Sequence, residues 1–138
     1  MRFFLDTNIL FDLFVADRPS HKDSQLLVAH GIAGNAEVLL SPVSVMTVLY
    51  SMKKFGVLEH QIVARFNLLL PHFQIAFTGK TELLAGINSG WNDLEDTIQF
   101  HSALGAGRID AIVSNDRDFK QQDRIPVITP AQAVKRLK

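Results

Sequence analysis

Asp93-Leu94-Glu95-Asp96-Thr97-Ile98-Gln99-Phe100-His101-Ser102-Ala103-Leu104-Gly105 is followed, five residues on, by Ala111-Ile112-Val113-Ser114-Asn115-Asp116-Arg117-Asp118-Phe119. The first part reads as a helix. Asp93 is a favourable N-cap, Leu94, Ile98 and His101 fall on one face, Phe100, Ala103 and Leu104 on the adjoining one, and Gly105 and Gly107 end the run. The second part is a short apolar strand, Ala111-Ile112-Val113, that breaks into a polar turn. Ligand sites of parallel α/β sheets lie beyond the carboxyl ends of the strands, so the turn puts Asp116 and Asp118 where chemistry is expected. Six of the chain's 14 carboxylates fall between Asp93 and Phe119, at the two ends of one helix–strand unit.

The amino terminus has the same form. Arg2-Phe3-Phe4-Leu5 is the uninterrupted apolar run of a strand covered on both faces, and it stops at Asp6. Thr7 and Asn8 open a helix in which Ile9, Leu10, Leu13 and Phe14 recur at helical spacing. In one parallel sheet, Asp6 and Asp116 would emerge at the same edge.

Between and beyond these units the pattern keeps alternating. A helix from Pro19 or Ser20 to about Gly34 precedes a strand at Glu37–Leu40. Ser41-Pro42 caps a helix that runs to Lys53-Lys54-Phe55-Gly56, and a further helix spans Leu58–Leu70 before Pro71. A strand is expected over Phe73–Phe77, a short helix from Thr81 to Ser89-Gly90, an edge strand over Ile125–Ile128 and a last helix over Pro130–Leu137. Strands alternating with helices specify an α/β fold, a three-layer α/β/α sandwich around a mostly parallel, roughly five-stranded sheet.

At 138 residues with 47% apolar content, the chain has material for one core, and residues 1–138 are expected to form a single domain. Its formal net charge of zero argues against holding nucleic acid by bulk electrostatics, but leaves room for an enzyme that grips phosphates through a metal. The lack of cysteine excludes disulfides and thiolate zinc sites. No stretch has the form of a signal peptide or is long enough to span a bilayer, so a cytoplasmic protein is expected.

Single acids have ordinary explanations. Glu95 and Asp96 suit a helix's first turn, where negative charge is favoured, and Asp110, Asp116 and Asp118 suit turns. Acids converging from separate segments are different: their repulsion destabilises an empty site and is tolerated when a cation neutralises it. Oxygen ligands without cysteine point to Mg2+ or Mn2+.

Phe4-Leu5-Asp6-Thr7-Asn8, Leu94-Glu95-Asp96-Thr97-Ile98 and Ile112-Val113-Ser114-Asn115-Asp116-Arg117-Asp118-Phe119 resemble, in order, the three acidic motifs of PIN-domain proteins, particularly VapC-like toxins of type II toxin–antitoxin systems. The resemblance spans essentially the whole chain. It implies a metal-dependent endoribonuclease, often a homodimer, restrained by a cognate antitoxin. By position it makes Asp6, Asp96 and Asp116 the catalytic metal ligands and Asp118 an extra ligand, with Asn8, Ser114 and Glu95 in support. One departure stands out: aligning the helix after Ser41-Pro42 with the family pattern puts Thr47 where many members have a glutamate. The neighbouring Tyr50 and Lys53-Lys54 resemble a subgroup that lacks this carboxylate.

Arg117, Lys120 and Arg108 lie close in sequence to the acids and are candidates to steer an RNA backbone, with Lys53 and Lys54 extending the track. His101, on the inner side of its helix, reads as a packed residue. Two rival classes remain. An aspartyl phosphatase would need a second acid two residues beyond Asp6, where this chain has Asn8. A degenerate domain of the same family would bind RNA or a protein partner without cutting.

Overall fold

The computed structural model describes all 138 residues, Met1–Lys138. Five strands form one wholly parallel sheet: β1 (Arg2–Leu5), β2 (Glu37–Leu40), β3 (Gln74–Ile75), β4 (Ala111–Val113) and β5 (Val127–Ile128), in the spatial order β3-β2-β1-β4-β5. Seven helices connect them: α1 (Thr7–Phe14), α2 (His21–Ile32), α3 (Pro42–Ser51), α4 (Glu59–Leu69), α5 (Lys80–Ile87), α6 (Leu94–Gly105) and α7 (Pro130–Leu137).

The alternation of side chains along a strand divides the core in two. Phe3, Leu5, Val38, Leu40, Ala111 and Val113 pack with Ile9, Leu10, Leu27, Val48, Ile62 and Val134 on one face of the sheet. Phe4, Leu39 and Ile112 pack with Phe100, Ala103 and Phe119 on the other. Helices α1, α2, α3, α4 and α7 therefore cover the first face and α6, backed by α5, the second. This is the three-layer sandwich expected, with period-two alternation deciding which helix each residue meets.

Most element boundaries fall where expected, and the exceptions have local causes. The edge strand β3 is two residues long instead of five, since it has one neighbour only, although Ala76 N still donates to Leu40 O at 2.8 Å. Strand β5 begins at Val127 rather than Ile125. Pro126 has no N–H to give, and Ile125 N is already committed to Gln122 Oε1 at 2.8 Å. The end of α3 tightens into a 3-10 turn over Met52–Phe55, closed by Gly56 at φ +73°, a conformation that favours glycine.

Strand β1 is central. From it the chain winds first towards β2 and β3 and later returns to lay β4 and β5 on the other side, so the winding direction reverses between β1 and β4. A crevice opens at the carboxyl ends of strands where such a reversal occurs.

Candidate metal centre

Asp6 leaves the carboxyl end of β1, and Ser114 leaves that of β4 beside it; Asp6 N donates to Val113 O at 3.1 Å. Asp6 is buried. Ser114 Oγ donates to Asp6 Oδ2 at 2.8 Å and, in turn, accepts from Asp116 N at 2.8 Å. Gln99 Nε2 approaches Asp6 Oδ1 at 3.5 Å, and the backbone N–H of Asn8 also favours the charged carboxylate. Burial still wins. It pushes Asp6 up to about 6, with the nearby charge of Asp116 adding to the rise against these hydrogen bonds.

Helix α6 brings two more acids to the same place. Asp93 caps it by accepting from Asp96 N at 3.1 Å, the role expected for it. Asp96, one turn in, is buried, and its Oδ2 has no hydrogen-bond partner. Desolvation, followed by the charges of Asp6, Asp93 and Asp116, pushes its carboxyl up to about 9. The loop after β4 supplies the rest: Asp116 accepts from Asp118 N at 2.9 Å, and Phe119, fully buried, pins the loop's end. Trp91 stacks on Phe100 at 5.4 Å and meets Phe119 edge-on at 6.2 Å, which ties that loop to α6.

Carboxylate oxygens of Asp93, Asp96, Asp116 and Asp118 lie within 4.8 Å of one another. A partnerless buried carboxylate oxygen is costly, and a set of hard oxygen donors around it suits a divalent cation. The donor set fits the metal that the sequence pattern implies. Three of the four expected ligands fall in this group, Asp96, Asp116 and Asp118. Asp6 adjoins it through electrostatic coupling to Asp96 and Asp116, held by Ser114.

Beneath the acids lies a set of polar contacts in which Glu95, expected in a supporting role, meets residues that the sequence pattern does not single out. Thr7 Oγ1 donates to Glu95 Oε1 at 2.8 Å and lies 2.8 Å from Ser44 Oγ, which reaches Gln99 Oε1 at 3.1 Å. Thr7 N also donates to Gln99 Oε1, at 3.3 Å. Thr7, Ser44 and Gln99 are all buried and lock α1, α3 and α6 together beneath the acids. A signal for part of this was available: Asp93, Asp96 and Gln99 recur every three residues, which puts them on one helical face. Ser44 inside the apolar run of α3 gave a weaker one. Thr47, one turn beyond Ser44, makes no side-chain hydrogen bond to any of these groups.

The basic residues divide. Arg117 and Lys120 are exposed and line a cleft of about 230 Å3 with Ser114, Asn115, Asp116 and Gln132. Lys53 and Lys54 line a separate cleft of about 520 Å3 with Met46 and Tyr50, and Lys53 pairs with Glu59 at 3.7 Å. Arg108 stands away from the acids, at the amino end of β4, where it pairs with Asp110 at 3.7 Å. Proximity in sequence misplaced it, because a strand intervenes. Asp110 takes the backbone N–H of Arg2 at 2.7 Å, a structural role. His101 packs edge-on against Phe100, and burial together with the charge of Arg124 lowers its pKa.

Comparison with known proteins places this geometry. A family model described as PIN domain matches residues 2–118. A protein of Aquifex aeolicus (strain VF5) named Ribonuclease VapC1 is 29% identical over 137 residues, spanning 96% of this chain and 93% of the relative. Among solved structures, VapBC2 from Rickettsia felis bound to a DNA fragment from its promoter aligns with a TM-score of 0.66 at 15% identity, over 94% of this chain and 98% of the other. VapBC-1 from nontypeable Haemophilus influenzae aligns equally well, with the same TM-score, identity and coverage. A toxin–antitoxin complex from Klebsiella pneumoniae gives 0.59 at 23% identity over 92% and 96% of the two chains. At these identities the structural likeness establishes the fold.

Proposed function

The chain belongs to the PIN-domain family, and from that premise we propose that it is a divalent-metal-dependent endoribonuclease, the toxin of a toxin–antitoxin pair. The observation that carries this reading is the carboxylate cluster at the switch point, with Asp96 Oδ2 buried and unpartnered inside it. A relative named as a ribonuclease and fold neighbours solved as toxin–antitoxin complexes support it.

In this reading Asp6, Asp96 and Asp116 are the catalytic ligands, Asp118 is an additional ligand, and Asp93 joins them. A Mg2+ or Mn2+ ion held there supplies charge neutralisation and a water of lowered pKa. The protein's own groups do the rest. Ser114 and Gln99 orient Asp6, while Thr7, Glu95 and Ser44 fix α6 against α1 and α3. Arg117 and Lys120 receive RNA phosphates on the side of the cleft that opens beside Asp116. No side-chain nucleophile is required. The 138 residues act as one domain, in the cytoplasm; no helix is long and apolar enough to cross a membrane. Exposed Met46, Tyr50, Phe55 and Leu58 offer apolar surface to protein partners, an antitoxin and a second copy of the chain.

Purified protein incubated with single-stranded and structured RNAs should cleave when Mn2+ is present and stop when a chelator removes it. Cleavage that persists in excess chelator would overturn the metal mechanism. A second reading is a PIN domain that binds RNA or protein without cutting, favoured by Thr47 in place of a carboxylate. Binding of RNA with no cleavage at any metal concentration would select it.

A further inference from the structure

Asp12 lies in the second turn of α1 and is not one of the clustered acids, yet it is a buried carboxylate at 3% exposure. Burying such a charge is unfavourable unless it is paired and hydrogen-bonded. Two partners from different segments meet that need. Arg18 Nε, from the turn that follows α1, donates to Asp12 Oδ1 at 2.6 Å. Asn115 Nδ2 donates to Asp12 Oδ2 at 3.2 Å and reaches Ser20 Oγ at 3.0 Å. The backbone carbonyl of Asp12 also lies 2.8 Å from His21 Nδ1, so the α1–α2 turn closes around this residue.

Asn115 connects the network to the site. It sits between Ser114, which holds Asp6, and Asp116, and the same loop carries Asp118. Consecutive residues of the loop are thus tied to the two ends of α1, Ser114 to the acid before its first turn and Asn115 to the acid in its second. Asn115 itself is exposed. An exposed amide that commits its N–H groups to a buried carboxylate and a hydroxyl of another segment restrains the loop more than it fills the core.

We propose that Asp12, acting through Asn115, is a positioning residue that fixes the loop bearing Asp116 and Asp118 and so sets the metal affinity of the carboxylate cluster. This rests on the metal-centre reading given above, but its first consequence does not need a metal. Groups that orient ligands from behind are typically worth about 10–100-fold in metal affinity.

The test uses Asn115→Ala, which removes an exposed side chain, together with Asp12→Asn and the double variant. In metal-free protein, residue-resolved amide exchange should quicken at Asp116 and Asp118 in Asn115→Ala while the amides of α6 stay as protected as in the wild type. Calorimetric titration with Mn2+ should show affinity lowered by about tenfold or more. The losses in Asp12→Asn and Asn115→Ala should fall short of additive in the double variant, because the two residues form one contact. Unchanged exchange at Asp116 and Asp118 would overturn the proposal, as would full additivity. Quickened exchange in a protein whose wild type takes up no Mn2+ would uphold the restraint and refute the metal-centre reading instead.

Discussion

At the residue scale the decisive group is Asp96, buried with one oxygen unpartnered and pushed up to about 9 by desolvation and by three neighbouring acids. Its ordinary value is 3.8. Between those values the folded, metal-free protein binds a proton that the unfolded chain has released. Stability therefore falls as pH rises from about 4 towards 9, the reverse of the usual carboxylate behaviour. Asp6, raised to about 6, adds to the fall in the lower part of that window. Thermal melts in chelator should show a lower midpoint at pH 8 than at pH 5. In Asp96→Asn the decline above pH 6 should flatten, the midpoint at pH 8 should match or exceed that of the wild type, and Mn2+ should no longer raise it. A variant that keeps the wild-type slope would show that Asp96 is not the titrating group.

At the scale of elements, α6 does two jobs with two faces. Asp93, Asp96 and Gln99 recur every third residue towards the site, and the opposite side packs against α5. That packing is close. A Cβ at Gly86 would lie 2.6 Å from Ile98 Cγ1 and 3.0 Å from Ile98 Cα, so only glycine lets α5 approach so near. Gly86→Ala must push α6 away, at a cost of about 1–3 kcal/mol for overpacking. Because α6 carries two of the clustered acids, Mn2+ affinity should fall along with stability. Chemical denaturation and metal titration of the same variant check this pair of effects. A stability loss with unaltered Mn2+ affinity would mean that the site tolerates movement of α6.

At the scale of the whole molecule, 14 basic and 14 acidic residues cancel, but Asp6, Asp93, Asp96, Asp116 and Asp118 gather at one sheet edge. RNA must approach a locally negative cleft, so the few cations beside it matter more than the total. Arg117 and Lys120 border the cleft next to Asp116. Arg117→Ala should weaken RNA binding by a similar factor for all sequences. It should also reduce the slope of log affinity against log salt by about 0.7, the value for one phosphate contact on a single strand. Filter binding in Ca2+ across a salt series gives the slope. An unchanged slope would place the phosphate contacts elsewhere on the surface, with Lys53 and Lys54 the next positions to replace.

The order of strands and helices, the acids at the ends of β1 and β4 and the cap of α6 were legible in the residues themselves, because each rests on local physics. Apolar period separates strand from helix, a proline or glycine ends an element, and an aspartate before an apolar helix caps it. Alternation in Phe3-Phe4-Leu5 likewise determines that one strand serves two cores. The membership of the cluster was settled only by tertiary structure. Asp93 is a cap in sequence and a candidate ligand in space, since the loop after β4 folds back towards it. Arg108 left the site because β4 separates it from Asp116. Gln99, Thr7 and Ser44 became buried and paired because three helices converge beneath Asp6. Periodicity is a one-dimensional quantity that says which face a side chain occupies; a metal site or a buried hydrogen bond depends on distances between segments far apart in the chain, which exist only once the sheet has brought them to one edge.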